Sequence, residues 1–240
     1  MTDVKRDETR VPPFDTADLR DNLRKFLDTP FDDPMTNGPR PVGNFKWGVY
    51  AFFDYDGEPI YVGQTNEMLR TRIRRHLTNQ RTDAVAMSVL DPFEVFEIEV
   101  WPLPAYQQMP GKDREAKSVL DSLENIVTLS AVSSSRFGAV LNEKDPPIRS
   151  IEVEIPRSVR GRIVSDAVAA LRSHPDFRTA RRALITARLA QVISEREVKG
   201  GLRRVLVTQT KRLNWLAERR FEALGGNATV ERKEGEDDTD

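Results

Sequence analysis

The sequence predicts an α+β fold: a small, mainly antiparallel sheet of three strands flanked by helices, with an α-helical C-terminal extension. Two aromatic and β-branched runs, 47–53 and 59–62, bracket Asp56-Gly57, which is a hairpin signal. A third run, 93–101, alternates apolar and acidic residues as a half-buried strand does. After Pro156, apolar residues recur at helical spacing over 158–173, 176–195 and 202–223.

The elements follow in order. Residues 1–13 are polar and end in Pro12-Pro13, which reads as a mobile arm. Leu19, Leu23, Phe26 and Leu27 recur at helical spacing, so 15–28 is a short helix. The stretch 29–44 holds four prolines and two glycines and reads as an extended loop. Residues 67–79 form a basic helix whose apolar stripe is Leu69, Ile73 and Leu77. A second helix, 112–131, places Ala116, Val119, Leu120, Leu123 and Val127 on one face. Val140-Leu141 is a short strand or a buried turn. The tail from Gly225 carries six carboxylates against two bases and reads as disordered.

Composition removes several kinds of chemistry. The 240 residues contain no Cys, so neither a disulfide framework nor a thiolate zinc site is available. There are only two His, far apart, so a metal or catalytic site built on clustered histidines does not fit. His174, before Pro175 at a helix junction, is expected to be structural. The acids Glu94, Glu97 and Glu99 alternate with apolar residues and read as the solvated face of a strand. No apolar run approaches a membrane span, and residues 1–10 lack a secretory core, so a cytoplasmic location is expected.

The formal charge of −1 is a cancellation. Residues 65–81 hold five Arg and one Glu, a local +4. Between Arg157 and Phe221 there are 14 Arg and two Lys against five carboxylates, a local +11. Basic stretches of this kind suit nucleic-acid phosphate.

Chemistry-bearing residues concentrate between 46 and 143. With a two-residue turn at Asp56-Gly57, Tyr61 lies opposite Phe52 and Gly63 opposite Tyr50, so the two tyrosines share one face. A three-residue loop would shift that register by one and destroy the arrangement. Gly63 leaves open space beside Tyr50, where a ligand or backbone can approach. On the basic helix Arg72 and His76 stand at i, i+4 beside the apolar stripe. Glu124 stands at the edge of the second helix's apolar face, where a carboxylate can reach a pocket and suits Mg²⁺. Each feature alone has a plainer explanation as core aromatic, solvated cation or boundary acid.

Taken in order, these residues resemble the GIY-YIG nuclease superfamily. Its first motif stands here as Gly48-Val49-Tyr50 and its second as Tyr61-Val62-Gly63. The family's arginine falls on Arg72, with Arg70 and Arg74 as alternatives, and helical phase favours Arg72. Its histidine falls on His76, its metal-binding glutamate on Glu124 and its late asparagine on Asn142.

The resemblance implies a divalent-metal-dependent endonuclease that hydrolyses DNA, with double-stranded DNA as the expected substrate and Mg²⁺ or Mn²⁺ held by Glu124. Tyr50 is the first choice for the residue assisting the attacking water, with His76 as relay and Tyr61 as an orienting hydroxyl. Arg72 would neutralise the transition-state phosphate, and Asn142 would orient side chains or meet DNA backbone. Size and architecture point to restriction or anti-phage defence, for which the chain could act as a homodimer. A repair or mobile-element nuclease, or a catalytically inactive DNA- or RNA-binding module, is the alternative.

The expected organisation is an N-terminal arm, helix and loop (1–45), a catalytic domain (46–150), a basic helical domain (151–224) and the acidic tail (225–240). Arg70, Arg74, Arg75, Arg181, Arg182, Arg203 and Arg204 are the candidate DNA contacts. Residues 156–223 either bind DNA or serve as helical support and a dimer contact.

Overall fold

A computed structural model describes residues 14–33, 38–78 and 89–226. The predicted N-terminal arm and nearly all of the acidic tail lie outside these residues. Helix α1 (Phe14–Leu27) buries Leu19, Leu23, Phe26 and Leu27, the stripe its periodicity predicts. The stretch read as an extended loop instead contains a small antiparallel pair, β1 (Pro30–Asp33) and β2 (Gly38–Pro41). Pro30 faces Pro41 in this ribbon, and both strands are edge strands, where a missing N–H is tolerated.

The main sheet has four antiparallel strands, one more than predicted. Strands β3 (Gly48–Phe53) and β4 (Pro59–Thr65) form the hairpin, and helix α2 (Leu69–Thr78) follows it. Then come β5 (Glu97–Pro102), helix α3 (Arg114–Ser134) and β6 (Val159–Arg162). Their order across the sheet is β4-β3-β5-β6. The fourth strand comes from residues expected to begin a helix at 158. There Val-Arg-Gly-Arg alternates across the sheet. Arg160 pairs with Glu97 at 2.7 Å and lies over the Phe53 ring. Gly161 packs flat on Phe26, where a Cβ would come within 2.9 Å of the ring. Helix begins only after Ser165, whose side chain caps α4 (Asp166–Arg172). The last two helices are α5 (Pro175–Glu195) and α6 (Gly200–Ala223).

Strand β3 is buried on both faces, and its period of two divides the core. Tyr50 and Phe52 join the cluster containing α1 and α2, while Val49, Ala51 and Phe53 join the one built on α3. Trp47, just before β3, is fully buried with a φ of 38°, a backbone conformation bulky residues seldom adopt.

The β3–β4 loop is longer than the predicted two residues. Gly57 N–H donates to Asp54 O and Asp54 N–H to Glu58 O, both at 3.0 Å, with Gly57 in the left-handed region. That offset pairs Phe53 with Pro59. A bulge at Ile60 then restores the pairing of Phe52 with Tyr61 and of Tyr50 with Gly63. The predicted register survives through two compensating irregularities. Pro59 has no N–H to donate, which makes this the natural place for a bulge.

The C-terminal helices dock on the hairpin tip through buried ions. Asp54 Oδ1 accepts the amides of Asp56 and Glu58 at 2.9 and 3.1 Å. Its Oδ2 accepts from Arg212 at 2.6 Å and Arg178 at 3.2 Å. Arg182 hydrogen-bonds Glu94, and Arg181 forms a two-pronged pair with Asp91 at 2.6 and 2.9 Å. Glu94 is therefore not a solvated strand acid: it sits in a 3-10 turn capped by Asp91 and is 6% exposed. Likewise Arg182, expected to contact DNA, is 3% exposed and faces inward, and Arg181 is engaged by Asp91. His174 caps α5 by accepting from Asp176 N–H at 3.2 Å. No described helix is long and apolar enough to cross a membrane.

Removing one carboxylate from a buried charge cluster leaves cations without a counter-ion, at a cost of about 3–5 kcal/mol. Asp54→Ala should lower the unfolding free energy by about that amount in urea titration. Asp32→Ala, which breaks the exposed pair with Arg157, should cost at most about 1 kcal/mol. Equal small losses would show that the buried cluster does not hold the helices.

Candidate active site

The restored hairpin register sets Tyr50 directly opposite Gly63. The space beside Gly63 is not open, as expected from sequence, but filled by Tyr50: a Cβ there would lie 2.6 Å from its Oη and 2.7 Å from Cζ. Tyr50 is fully buried. Its hydroxyl lies 3.3 Å from His76 Nδ1. Tyr61 stacks on Phe52 and meets the His76 ring edge-on at 4.6 Å between centroids.

Helix α2 delivers Arg72 and His76. Its first amide, Leu69 N–H, donates to Phe45 O at 2.8 Å, and Leu69, Ile73 and Leu77 are buried. Phase then points Arg72 and His76 along the edge of that face. Arg70 turns the other way and is held by Leu27 O, Asp28 and Asn44 at 3.2, 2.6 and 3.2 Å. Arg74 is exposed, and Arg75 pairs with Glu67. Of the three alternatives for the family's arginine, Arg72 alone lines the cleft described next. Its Nε is buried without a hydrogen bond among the described residues.

Helix α3 starts at Asp113, whose carboxylate accepts from Ala116 N–H at 2.8 Å. Its apolar face packs on the opposite side of the sheet from α2. Glu124 stands at the border of that face. The two helices approach across edge strand β4, and between them lies a cleft of about 590 Å³. Tyr61, Arg72, His76, Glu124 and Asn142 all line it. Tyr50 does not: it lies behind Gly63.

Asn142 extends the sheet edge without being a strand. Its Oδ1 accepts from Val62 N–H at 3.1 Å, and its Nδ2 donates to Val62 O at 2.6 Å. Leu141 N–H donates to Ile60 O at 2.8 Å. One amide side chain thus occupies two backbone groups of β4 and fixes the following residues, 143–147, as one wall of the cleft.

Sequence reasoning missed Gln64. Counting by two from Val62 puts it on the α3 face, and that count alone would have found it. It donates to Asp121 at 2.7 Å and lines the cleft beside Glu124.

The electrostatics follow from burial. Desolvation is the main influence on Glu124 and raises its pKa to about 7; Lys117 opposes this and Asp121 adds to it. Burial also raises both phenols above their usual range, with the Arg72 cation opposing. Burial first, then Arg72 and Arg75, lowers His76 to about 4, so it is neutral near pH 7.

The residues suit a hard divalent ion. Glu124 offers carboxylate oxygen whose charge is poorly tolerated where it stands, a penalty a cation relieves. Among the described residues no three His, Asp or Glu side chains converge. That donor set fits an ion that keeps several waters and relies on one or two carboxylates plus substrate phosphate, as Mg²⁺ does.

The unfolded chain binds a proton at His76 near pH 6.5, whereas the folded protein resists it until about 4. The neutral ring's contribution is therefore full above pH 6.5 and is lost as pH falls toward 4. His76→Gln should flatten the wild-type decline in unfolding free energy across that window. Parallel profiles would contradict a buried neutral imidazole.

Residues 46–117 match the family model of the GIY-YIG catalytic domain. No curated protein and no solved structure matches the chain. The match spans both tyrosine motifs, Arg72 and His76, while Glu124 and Asn142 lie beyond it. With the motif strands, the arginine helix and the cleft in place, residues 46–117 carry the catalytic domain of the GIY-YIG nuclease superfamily.

Proposed function

We propose that the chain is a divalent-metal-dependent endonuclease that hydrolyses DNA phosphodiester bonds, serving in restriction or anti-phage defence. The observation that carries the reading is the convergence of Tyr61, Arg72, His76, Glu124 and Asn142, distant in sequence, on one cleft. A pure binding module has no need of that set.

A divalent ion bound at Glu124 would polarise the scissile phosphate and stabilise the leaving oxygen. Arg72, whose Nε has no hydrogen-bond partner among the described residues, neutralises charge that grows on the phosphate in the transition state. Tyr61 is the phenol that meets the cleft, which supports it as the one that would assist the attacking water. Tyr50, the first choice on sequence grounds, acts from behind as the partner of His76. Because burial raises both phenols, neither is ionised at rest, and proton removal from water needs the neutral His76 ring as an acceptor in the same hydrogen-bonded group. Asn142 holds its wall through Val62. One such cleft cuts one strand, so a double-strand break would take two copies of the chain or two binding events.

Purified protein incubated with plasmid and Mg²⁺ should nick or linearise it, and mapping the ends gives the mode of cutting. Arg72→Ala should slow cleavage by on the order of 10²–10³-fold. Glu124→Ala should abolish metal-dependent cleavage while DNA binding persists. Undiminished cleavage by Glu124→Ala would contradict the site assignment.

A further inference from the structure

Most of the C-terminal arginines face the rest of the protein and are neutralised there. Arg178, Arg182 and Arg212 meet Asp54 and Glu94; Arg181 meets Asp91; Arg160 meets Glu97; Arg219 meets Asp56. The +11 of this segment is therefore not a uniformly basic surface. Two cations of α6 differ. Arg203 and Lys211 are exposed and have no ion pair among the described residues.

Their position on the helix is fixed by its buried side. Leu202, Val205, Gln209, Arg212 and Leu216 face inward. At about 100° per residue, Arg203, Val207 and Lys211 then form an outward line at i, i+4 and i+8. Val207 is 54% exposed, in agreement with that phase.

The line begins at the cleft. Gly201 lies against the backbone of Glu143, where a Cβ would fall 1.7 Å from its carbonyl oxygen. One turn on, Arg204 pairs with Asp145 at 2.7 Å. Glu143, Lys144 and Asp145 all belong to the cleft wall. The other end of α6 reaches the hairpin tip, where Arg219 meets Asp56 at 3.1 Å. Helix α6 thus runs from the mouth of the cleft along the outer edge of the nuclease domain. Arg204 offsets the charge of Asp145, and Lys144 stands next to Glu143, so the wall itself is close to neutral. Arg203 stands two residues after Gly201, at the end of α6 that meets this wall, and Lys211 lies about two turns further along the helix.

We propose that the outward line of α6, Arg203 and Lys211, contacts the DNA backbone flanking the scissile phosphate. The inference rests on the nuclease reading of the cleft and adds which face of the C-terminal segment meets the substrate. Eight residues of helix separate the two cations by about 12 Å along the axis, the rise of three to four nucleotides of one strand. Val207 is the one large apolar side chain between them on this line, which does not suit a membrane or a hydrophobic protein surface. Backbone contact of this kind supplies affinity and register rather than sequence readout.

The test uses the full chain and a fluorescent duplex in EDTA, so that binding is read without cleavage. Anisotropy across a salt series gives affinity and its salt slope. Arg203→Ala/Lys211→Ala should weaken binding by about tenfold or more and reduce the slope by about two, one for each phosphate no longer neutralised. Arg188→Ala, an exposed cation on α5 beside α1 and α2, should change neither. An unchanged slope and affinity in the double variant, with wild-type binding and cleavage intact, would overturn this inference alone. An equal loss in Arg188→Ala would overturn it as an effect of net charge. No binding by the wild-type chain would overturn both this inference and the nuclease reading. Circular dichroism of the variants guards against misfolding, which is not expected because both side chains are exposed.

Discussion

Asp54 sits where the hairpin tip meets the C-terminal helices, and its two oxygens divide the task. One accepts backbone amides and shapes the β3–β4 loop; the other accepts arginines from α5 and α6. Burial makes such charges costly, pushing the Arg212 pKa down to about 10. The arrangement persists because the charges neutralise one another and the loop amides add hydrogen bonds. Its consequence is architectural. The same hairpin whose tip binds the helices carries Tyr50, Tyr61 and Gly63 further along. The helix held at the tip also reaches back to brace the cleft wall through Gly201 and Arg204. The C-terminal segment is therefore part of the frame of the cleft as well as a surface beside it.

Within that frame, the cleft depends on side chains acting across an edge. The bulge at Ile60 turns Tyr61 onto the face of Phe52 and His76. Gly63 then admits the Tyr50 ring behind the cleft, and Asn142 satisfies the outer edge of β4. Helices on opposite faces of the sheet can bring a guanidinium and a carboxylate into one space only where the sheet ends, and β4 is that edge. Burial governs the chemistry there: it keeps His76 neutral and the phenols protonated, and it leaves Glu124 short of compensating charge.

Periodicity makes much of this legible. The stripes of α1, α2 and α3 follow from spacing alone, and motif order leads to Arg72, His76, Glu124 and Asn142. What spacing does not show is long-range pairing. Arg182 looks like any other arginine on a basic helix until Glu94, 88 residues away, is found beside it. Glu94 looks like a solvated strand acid until its turn is seen. The strand at Val159–Arg162 is hidden because its partner, β5, lies about sixty residues earlier and its own four residues carry little pattern. The loop at Asp56-Gly57 is longer than its turn signal suggests, and the register nonetheless holds because the bulge at Ile60 compensates. Gln64 escapes because it has no motif of its own and gains meaning only beside Asp121 and Glu124.

If these residues form one cleft that works around a single divalent ion, that ion must sit at Glu124. Anomalous diffraction from crystals soaked in Mn²⁺ tests this most directly. A single peak within bonding distance of the Glu124 carboxylate, on the side of the cleft that faces Arg72, is the expected result. An ion bound away from Glu124, or cleavage-competent protein with no ion in the cleft, would contradict it.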